Sequence, residues 1–371
     1  MPTGLLQTQP AKVNTLQASN NKQAVTMKLS ILWLGMMLLW LALPAQAAVV
    51  LIYHHIAEDT PRVSSTTEAE FRQHLTYLQE NDFEVIGLDT LIRQLQQGKD
   101  IADNAVVITF DDGYANNFTT AHPILMEFGF PYTIFISPGD IDNRTGPVMT
   151  WPQIKQMSDD GVLVANHTMY HEKMAQPEPG ESKQEWLARM KDTIVMAEQR
   201  IKEETGQNHQ WLAYPYGEFS PQLEDLVKEL GFIGIGQHSG AVGLTTKLTR
   251  IPRFPAAGRF AEMSDLAQKL RTLPFIIVDH VSANPMVQTG QNPPVLTLKL
   301  EVKDFRPAQL RCYAGMEVIE PDWLDEQTFQ AQASKAMNRG RSRYNCTAPS
   351  ISKPGHFYWY SQPWLYGRSR D

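Results

Sequence analysis

Cysteine, positive charge and long apolar runs are all scarce in this chain. Cys312 and Cys346 are its only cysteines, which leaves room for one disulfide at most. Lys and Arg number 33 against 40 Asp and Glu, a formal net charge of -7. That balance argues against a nucleic-acid scaffold, whose affinity would rest on neutralising phosphates. The one basic run is short, around Arg339, Arg341 and Arg343. The main apolar run, Leu29 to Leu43, falls short of the ~20 residues that span a bilayer. No internal repeat is visible, so a solenoid is not expected.

What is present suits a globular enzyme. The 371 residues are 42% hydrophobic, 20% charged and 9% aromatic. That length accommodates one large domain and a smaller one. Lys28, the apolar run, Pro44 and Ala45-Gln46-Ala47 read as the n-region, h-region and A-x-A cleavage site of a secretory signal. The polar stretch before Met27 fits no signal, so Met27 is the expected start. No cysteine lies near the cleavage site for lipid attachment. The expectation is an exported protein, periplasmic or secreted, with no membrane span after cleavage. In that setting an even cysteine count implies a Cys312–Cys346 disulfide.

From Ala48 onward, apolar runs alternate with amphipathic stretches. AVVLIYHHI (48–56) and AVVITF (105–110) read as strands covered on both faces. Further strands are expected at Phe83–Leu88, Tyr132–Ile136, Val162–Ala165, Trp211–Tyr214 and Phe232–Ile235. Helices are expected at Glu68–Asn81, from Asp89 to near Gly98, near Thr119–Phe128, from Trp151, at Ser182–Thr205, Pro221–Leu230 and Ala261–Leu273. In the Ser182 helix, Trp186, Met190, Ile194, Ala197 and Ile201 form one stripe, with Gly206 as C-cap. Such alternation implies an α/β fold with a parallel sheet, open or closed into a barrel. The pattern changes near Ser282. Residues 284–294 read as a linker, and 290–371 as a small β-sandwich holding the disulfide. The expected divisions are a 1–47 extension, a 48–283 domain and a 290–371 domain.

Four strand ends carry the chemistry, as in any parallel α/β architecture. Asp111 and Asp112 follow AVVITF. Two adjacent carboxylates there are costly unless their charge is used. His167 and His171 follow VLVA, and the i, i+4 spacing lets both imidazoles reach one ion. Two imidazoles and one carboxylate leave positions open for water and substrate, the makeup of a catalytic site. The other carboxylate is then free to act as general base. Tyr214-Pro215-Tyr216-Gly217 forms a tight loop whose backbone could donate to an oxyanion. His54 and His55 end the first strand and offer a general acid.

These segments resemble the NodB-type polysaccharide deacetylases, carbohydrate esterase family 4. Thr109–Tyr114 (TFDDGY) is similar to the family's first motif, His167–His171 (HTMYH) to its H-[ST]-x-x-H metal motif, and Tyr214–Gly217 (YPYG) to its third, in matching order over roughly residues 48–275. The resemblance implies a distorted (β/α) barrel. It implies Asp111 as base, Asp112, His167 and His171 as ligands of a divalent metal, usually zinc, and the Tyr216 N–H as oxyanion donor. It also implies substrate contacts at Tyr114, Trp151, Tyr214, Pro215 and His55. Two departures stand out. Ala213 occupies the place of a common arginine, and L-x-H has only Val278-Asp279-His280 as counterpart. The Tyr-His end of the first strand resembles the permuted branch that includes poly-β-1,6-N-acetylglucosamine deacetylases. The acid is therefore expected at His54, ahead of His55 and His280.

The expected function is metal-dependent removal of N-acetyl groups from an N-acetylglucosamine-containing polysaccharide. An O-acetyl ester substrate suits the same scaffold. A glycoside hydrolase would use Asp111 and Asp112 as a pair, but carboxylates flanking a bond stand ~5–9 Å apart on opposite sides, and sequence neighbours do not. A non-catalytic sugar binder would use Phe357, Tyr358, Trp359, Tyr360, Trp364 and Tyr366, which serve equally as core packing.

Overall fold

The computed structural model describes Gly4 and residues 47–282 and 284–367; the expected signal segment lies outside the described residues. The strands are β1 (Ala48–Tyr53), β2 (His55–Ile56), β3 (Ser65–Thr66), β4 (Glu84–Val85), β5 (Ala105–Phe110), β6 (Tyr132–Ile136), β7 (Leu163–Asn166), β8 (Trp211–Ala213), β9 (Ile233–Ile235) and β10 (Phe254–Pro255). All but β2 and β3, which pair with each other, form one parallel sheet ordered β10-β1-β5-β6-β7-β8-β9, with β4 also on β5. This is the parallel sheet of a distorted (β/α) barrel, as expected. Every residue of β1, β5 and β6 is buried, which explains their unbroken apolar runs.

The edge strands β9 and β10 do not pair directly. Residues 248–253 run alongside β9 and close the seam: the Gly234 N–H donates to the Leu248 carbonyl, the Ile251 N–H to Gly234 and the Gly236 N–H to Ile251. Arg253, at the end of this segment, is thereby carried to the mouth of the barrel.

Helix ends follow local chemistry. Thr67 with Glu70 and Ser182 with Glu185 form capping boxes ahead of Glu68–Glu80 and Lys183–Thr205. Gly206 closes the longer helix at φ 76°, as its position predicted. The last expected helix is a correction. It covers only Met263–Lys269, because Thr272–Pro274 is recruited as β11 to pair in parallel with the C-terminal strand.

The remaining strands are β12 (Ile277–Asp279), β13 (Met286–Val287), β14 (Val295–Leu300), β15 (Arg311–Ala314), β16 (Glu317–Ile319), β17 (Asp322–Trp323), β18 (Thr328–Gln332), β19 (Gly340–Pro349) and β20 (Phe357–Tyr366). They form sheets ordered β11-β20-β19-β15-β16, with β13 on β20, and β12-β14-β18-β17. Both sheets therefore begin before residue 283, and the stretch expected as a linker contributes β13 to the first. Leu296, Leu298 and Phe329 of one sheet share a core with Cys312, Tyr344, Cys346, Tyr358 and Trp364 of the other. Cys312 and Cys346 lie opposite each other in the β15–β19 ladder and are disulfide-bonded. Tyr358 and Trp364 are core side chains, and Trp359 packs edge-on against Phe254 of the barrel at 5.5 Å.

Candidate functional site

The carboxyl ends of β1, β5, β7 and β8 meet at one mouth. Hydrogen-bonded registers bring β5 next to β1 and, through β6, toward β7. Asp112 Oδ1 lies 3.3 Å from His167 Nε2 and 3.4 Å from His171 Nε2. One ligand atom from each of the three falls within 4.8 Å of the others, close enough to share one ion. His167 Nδ1 donates to the Ala213 carbonyl at 2.8 Å, because a carbonyl can only accept. That bond fixes the tautomer and leaves Nε2 with its lone pair toward Asp112. Asp112 Oδ1 and His167 Nε2 are buried and have no hydrogen-bond partner. Buried polar atoms are rarely left so. A divalent cation would satisfy both, so the residues present fit a metal.

The electrostatics agree. Burial opposes ionisation of Asp112, yet His167, His54 and His171 hold its carboxyl well below the usual carboxylate range. His167 is fully buried, but Asp111 and Asp112 pull its pKa up. This is a place that attracts positive charge. Burial and the neighbouring His167 depress His171 to about 4, so it stays neutral at pH 7, as a ligand must.

The backbone is bent to make the cluster. Asp112 (φ 71°), Thr168 (φ 64°), His171 (φ 54°) and Tyr216 (φ 59°) all adopt left-handed conformations. Such positions cost energy for non-glycine residues and gather at functional sites. Gly113 is required beside them: at φ 69°, an added Cβ would stand 2.9 Å from Ile136.

Asp111 is fully buried and gripped from both sides of its carboxylate. Arg253 Nη1 donates to Oδ1 and Nη2 to Oδ2, each at 2.7 Å, and the guanidinium is itself fully buried. Arg253 Nε donates to the Gly236 carbonyl at 2.8 Å, and Gln237 reaches Asp111 Oδ2 at 3.4 Å. Burial disfavours the charged carboxylate, but Arg253 lowers its pKa overall. The third-motif place where a family arginine was expected is Ala213, so the guanidinium comes instead from the barrel seam. Sequence reading missed Arg253. The only signal available was that a buried Asp111 demands a counter-charge.

The other expected residues divide. His54 is partly exposed, and its charge acts on both Asp111 and Asp112. His55 is buried, stacked on Tyr114 at 3.6 Å, with Nδ1 3.1 Å from Asn116 Nδ2. It is held in the wall, where the Asp112 charge also acts on it. Tyr114 thus lies beside the cluster, where burial and the Asp112 charge raise its pKa. Tyr216 meets the His171 ring edge-on at 4.5 Å. Pro215 is buried and starts the turn that carries Tyr216. Tyr214 is a correction: it is fully buried and donates its hydroxyl to Thr249 at 2.8 Å, so it anchors the seam and offers no face to substrate. Trp151 is engaged by two other side chains, with Nε1 on Asp142 and Arg200 over its ring at 4.9 Å. His280 belongs to the smaller sheets, 3.5 Å from the Tyr360 hydroxyl.

Residues 98–235 match the family model described as Polysaccharide deacetylase. The chain is 26% identical over 194 residues to YxkH of Bacillus subtilis, covering 52% of this chain and 65% of that protein. It is 20% identical over 336 residues to the poly-β-1,6-N-acetyl-D-glucosamine N-deacetylase of Escherichia coli, covering 78% of this chain and 50% of that one. The chain thus spans between half and two thirds of the length of these relatives. Among solved structures, the deacetylase PplD of Streptococcus pyogenes superposes with a TM-score of 0.54 at 19% identity, over 61% of this chain and 99% of that one. IcaB from Ammonifex degensii gives 0.51 at 20%, over 61% and 97%. At these identities the structural matches establish the fold.

Proposed function

Given that residues 98–235 form a polysaccharide deacetylase domain of the NodB-like kind, we propose that the protein hydrolyses N-acetyl groups of an N-acetylglucosamine-containing polysaccharide. The observation that carries this reading is the trio of Asp112, His167 and His171, with two buried polar atoms left unpartnered at its centre and Asp111 next in sequence.

Asp112, His167 and His171 would hold a divalent cation, with zinc the best match to a carboxylate and two imidazoles. Bound there, such an ion polarises the acetyl carbonyl and acidifies water. Asp111, oriented by Arg253, accepts the proton of the attacking water. The backbone N–H of Tyr216 donates to the carbonyl oxygen as negative charge develops on it. His54 gives a proton to the departing amine. His55 and Tyr114 wall the site beside Asp112 and exclude bulk water. Pro215 and the left-handed Tyr216 set the loop that borders the acetyl group.

The disulfide supports export to an oxidising compartment, periplasmic or extracellular. No helix among the described residues is long and apolar enough to cross a membrane. The burial of Tyr358 and Trp364 weighs against a purely sugar-binding role for the C-terminal aromatics. Acetate release from N-acetylglucosamine oligomers tests the proposal. Release should stop on chelation and in Asp111→Asn; release that survives either treatment would sink it.

A further inference from the structure

The short basic run of the sequence finds no use in the chemistry above, yet the fold delivers it to the mouth of the site. Arg341 and Arg343 lie two residues apart on β19, so both project from one face of the smaller sheet. Arg341 places its guanidinium 4.9 Å from the Tyr216 ring centroid and donates from Nη1 to the Tyr216 carbonyl at 3.3 Å. Lys173 lies 5.6 Å from the same ring, on the loop after His171. Arg259, in the short turn following β10, stacks on Phe260. Packing against neighbouring atoms, then the positive charges of Arg259 and Arg341, lower the pKa of Arg343. Glu218 lies 3.9 Å from Arg341. Arg259 and Arg343 are exposed. A cationic lip on a chain of net charge -7 runs against the overall balance, and repulsion makes it costly unless something anionic uses it.

We propose that Arg259, Arg341 and Arg343 form a binding lip for carboxylate groups of the substrate, so that the polymer bears acidic sugars beside the acetylated one. Guanidiniums suit this because their planar fork matches a carboxylate in two-pronged fashion. The smaller β-sheets would then be part of the substrate site: β19 supplies both the lip and the clamp on Tyr216. Once an acetyl group is removed, the product gains an ammonium that the same lip repels, which favours release. The inference rests on the deacetylase reading.

The test compares two oligosaccharides of equal length with the full-length protein. One alternates N-acetylglucosamine with glucuronate; the other is neutral N-acetylglucosamine. Two or three exposed ion pairs predict about tenfold tighter binding of the acidic oligomer at low salt. That gap should close as salt shortens the screening length to a few Å at about 1 M. Arg343→Glu and, on a separate element, Arg259→Glu should each shrink it. Equal affinities at low salt, or a gap that both variants leave intact, would overturn the proposal. Acetate release is measured in the same samples. Release from both oligomers without charge dependence removes the lip and keeps the deacetylase. Charge-dependent binding without release from either removes the deacetylase and keeps the lip.

Discussion

Replacing Arg253 by Met strands Asp111 in the protein interior. Both side chains are fully buried, and Arg253 makes both of the close contacts to the carboxylate oxygens, at 2.7 Å each. Among the described residues, Gln237 at 3.4 Å would be its remaining side-chain hydrogen-bond partner, with the charges of His167 and His54 still acting on it. Removing one partner of such a pair leaves an uncompensated buried charge and costs about 3–5 kcal/mol. The double variant Arg253→Met/Asp111→Asn removes the stranded charge as well. It should be more stable than Arg253→Met alone by about 1–3 kcal/mol, the usual coupling between groups in contact. The sign with pH is fixed by Arg253 lowering the Asp111 pKa. The pair's contribution is present above the unfolded carboxylate value of about 3.9 and is lost as pH falls through the folded value. Urea unfolding at pH 7 of wild type, both single variants and the double variant measures all of this. Arg253→Lys keeps a charge but not the two-pronged grip, and should fall between. The reasoning fails if Arg253→Met costs less than about 1 kcal/mol, or if the second substitution restores nothing.

His74 is buried, 3.0 Å from the Tyr53 hydroxyl and 2.6 Å from the Ala261 carbonyl, and burial lowers its pKa. Its contribution to stability is full above the unfolded value of about 6.5 and falls as pH drops below it, by up to about 1.4 kcal/mol per unit. In His74→Gln the urea midpoint should fall less steeply between pH 7 and pH 5; an unchanged slope would contradict this. Reducing Cys312–Cys346, 34 residues apart, should cost about 3–4 kcal/mol by loop-closure entropy. Cys312→Ala/Cys346→Ala measured by thermal unfolding should show that loss, and a melting temperature equal to the oxidised protein's would count against it.

The four strand-end residues were legible because a parallel barrel delivers strand ends to one mouth. Asp111 and Asp112 after AVVITF, and His167 with His171 after VLVA, needed only that rule and ligand chemistry. Tyr214 misled because a motif says which residues share a loop, not which side chain faces inward. Arg253 was illegible for a different reason. It lies on a seam segment with no strand periodicity, 142 residues beyond its partner, and only three-dimensional closure brings the two together. The same kind of distant pairing shortened the last helix: it was expected to run to Leu273, but Phe357–Trp359 supplies a ladder for Thr272–Pro274 that local sequence cannot reveal.

Metal stoichiometry, measured by elemental analysis on the purified protein, bears most directly on whether one cation unites the carboxylate and the two imidazoles. Wild type should carry one equivalent of a divalent metal per chain, and Asp112→Asn, His167→Ala and His171→Ala should each lose most of it while remaining folded. A wild-type protein that releases acetate with no metal bound, or variants that hold metal as tightly as wild type, would contradict the account.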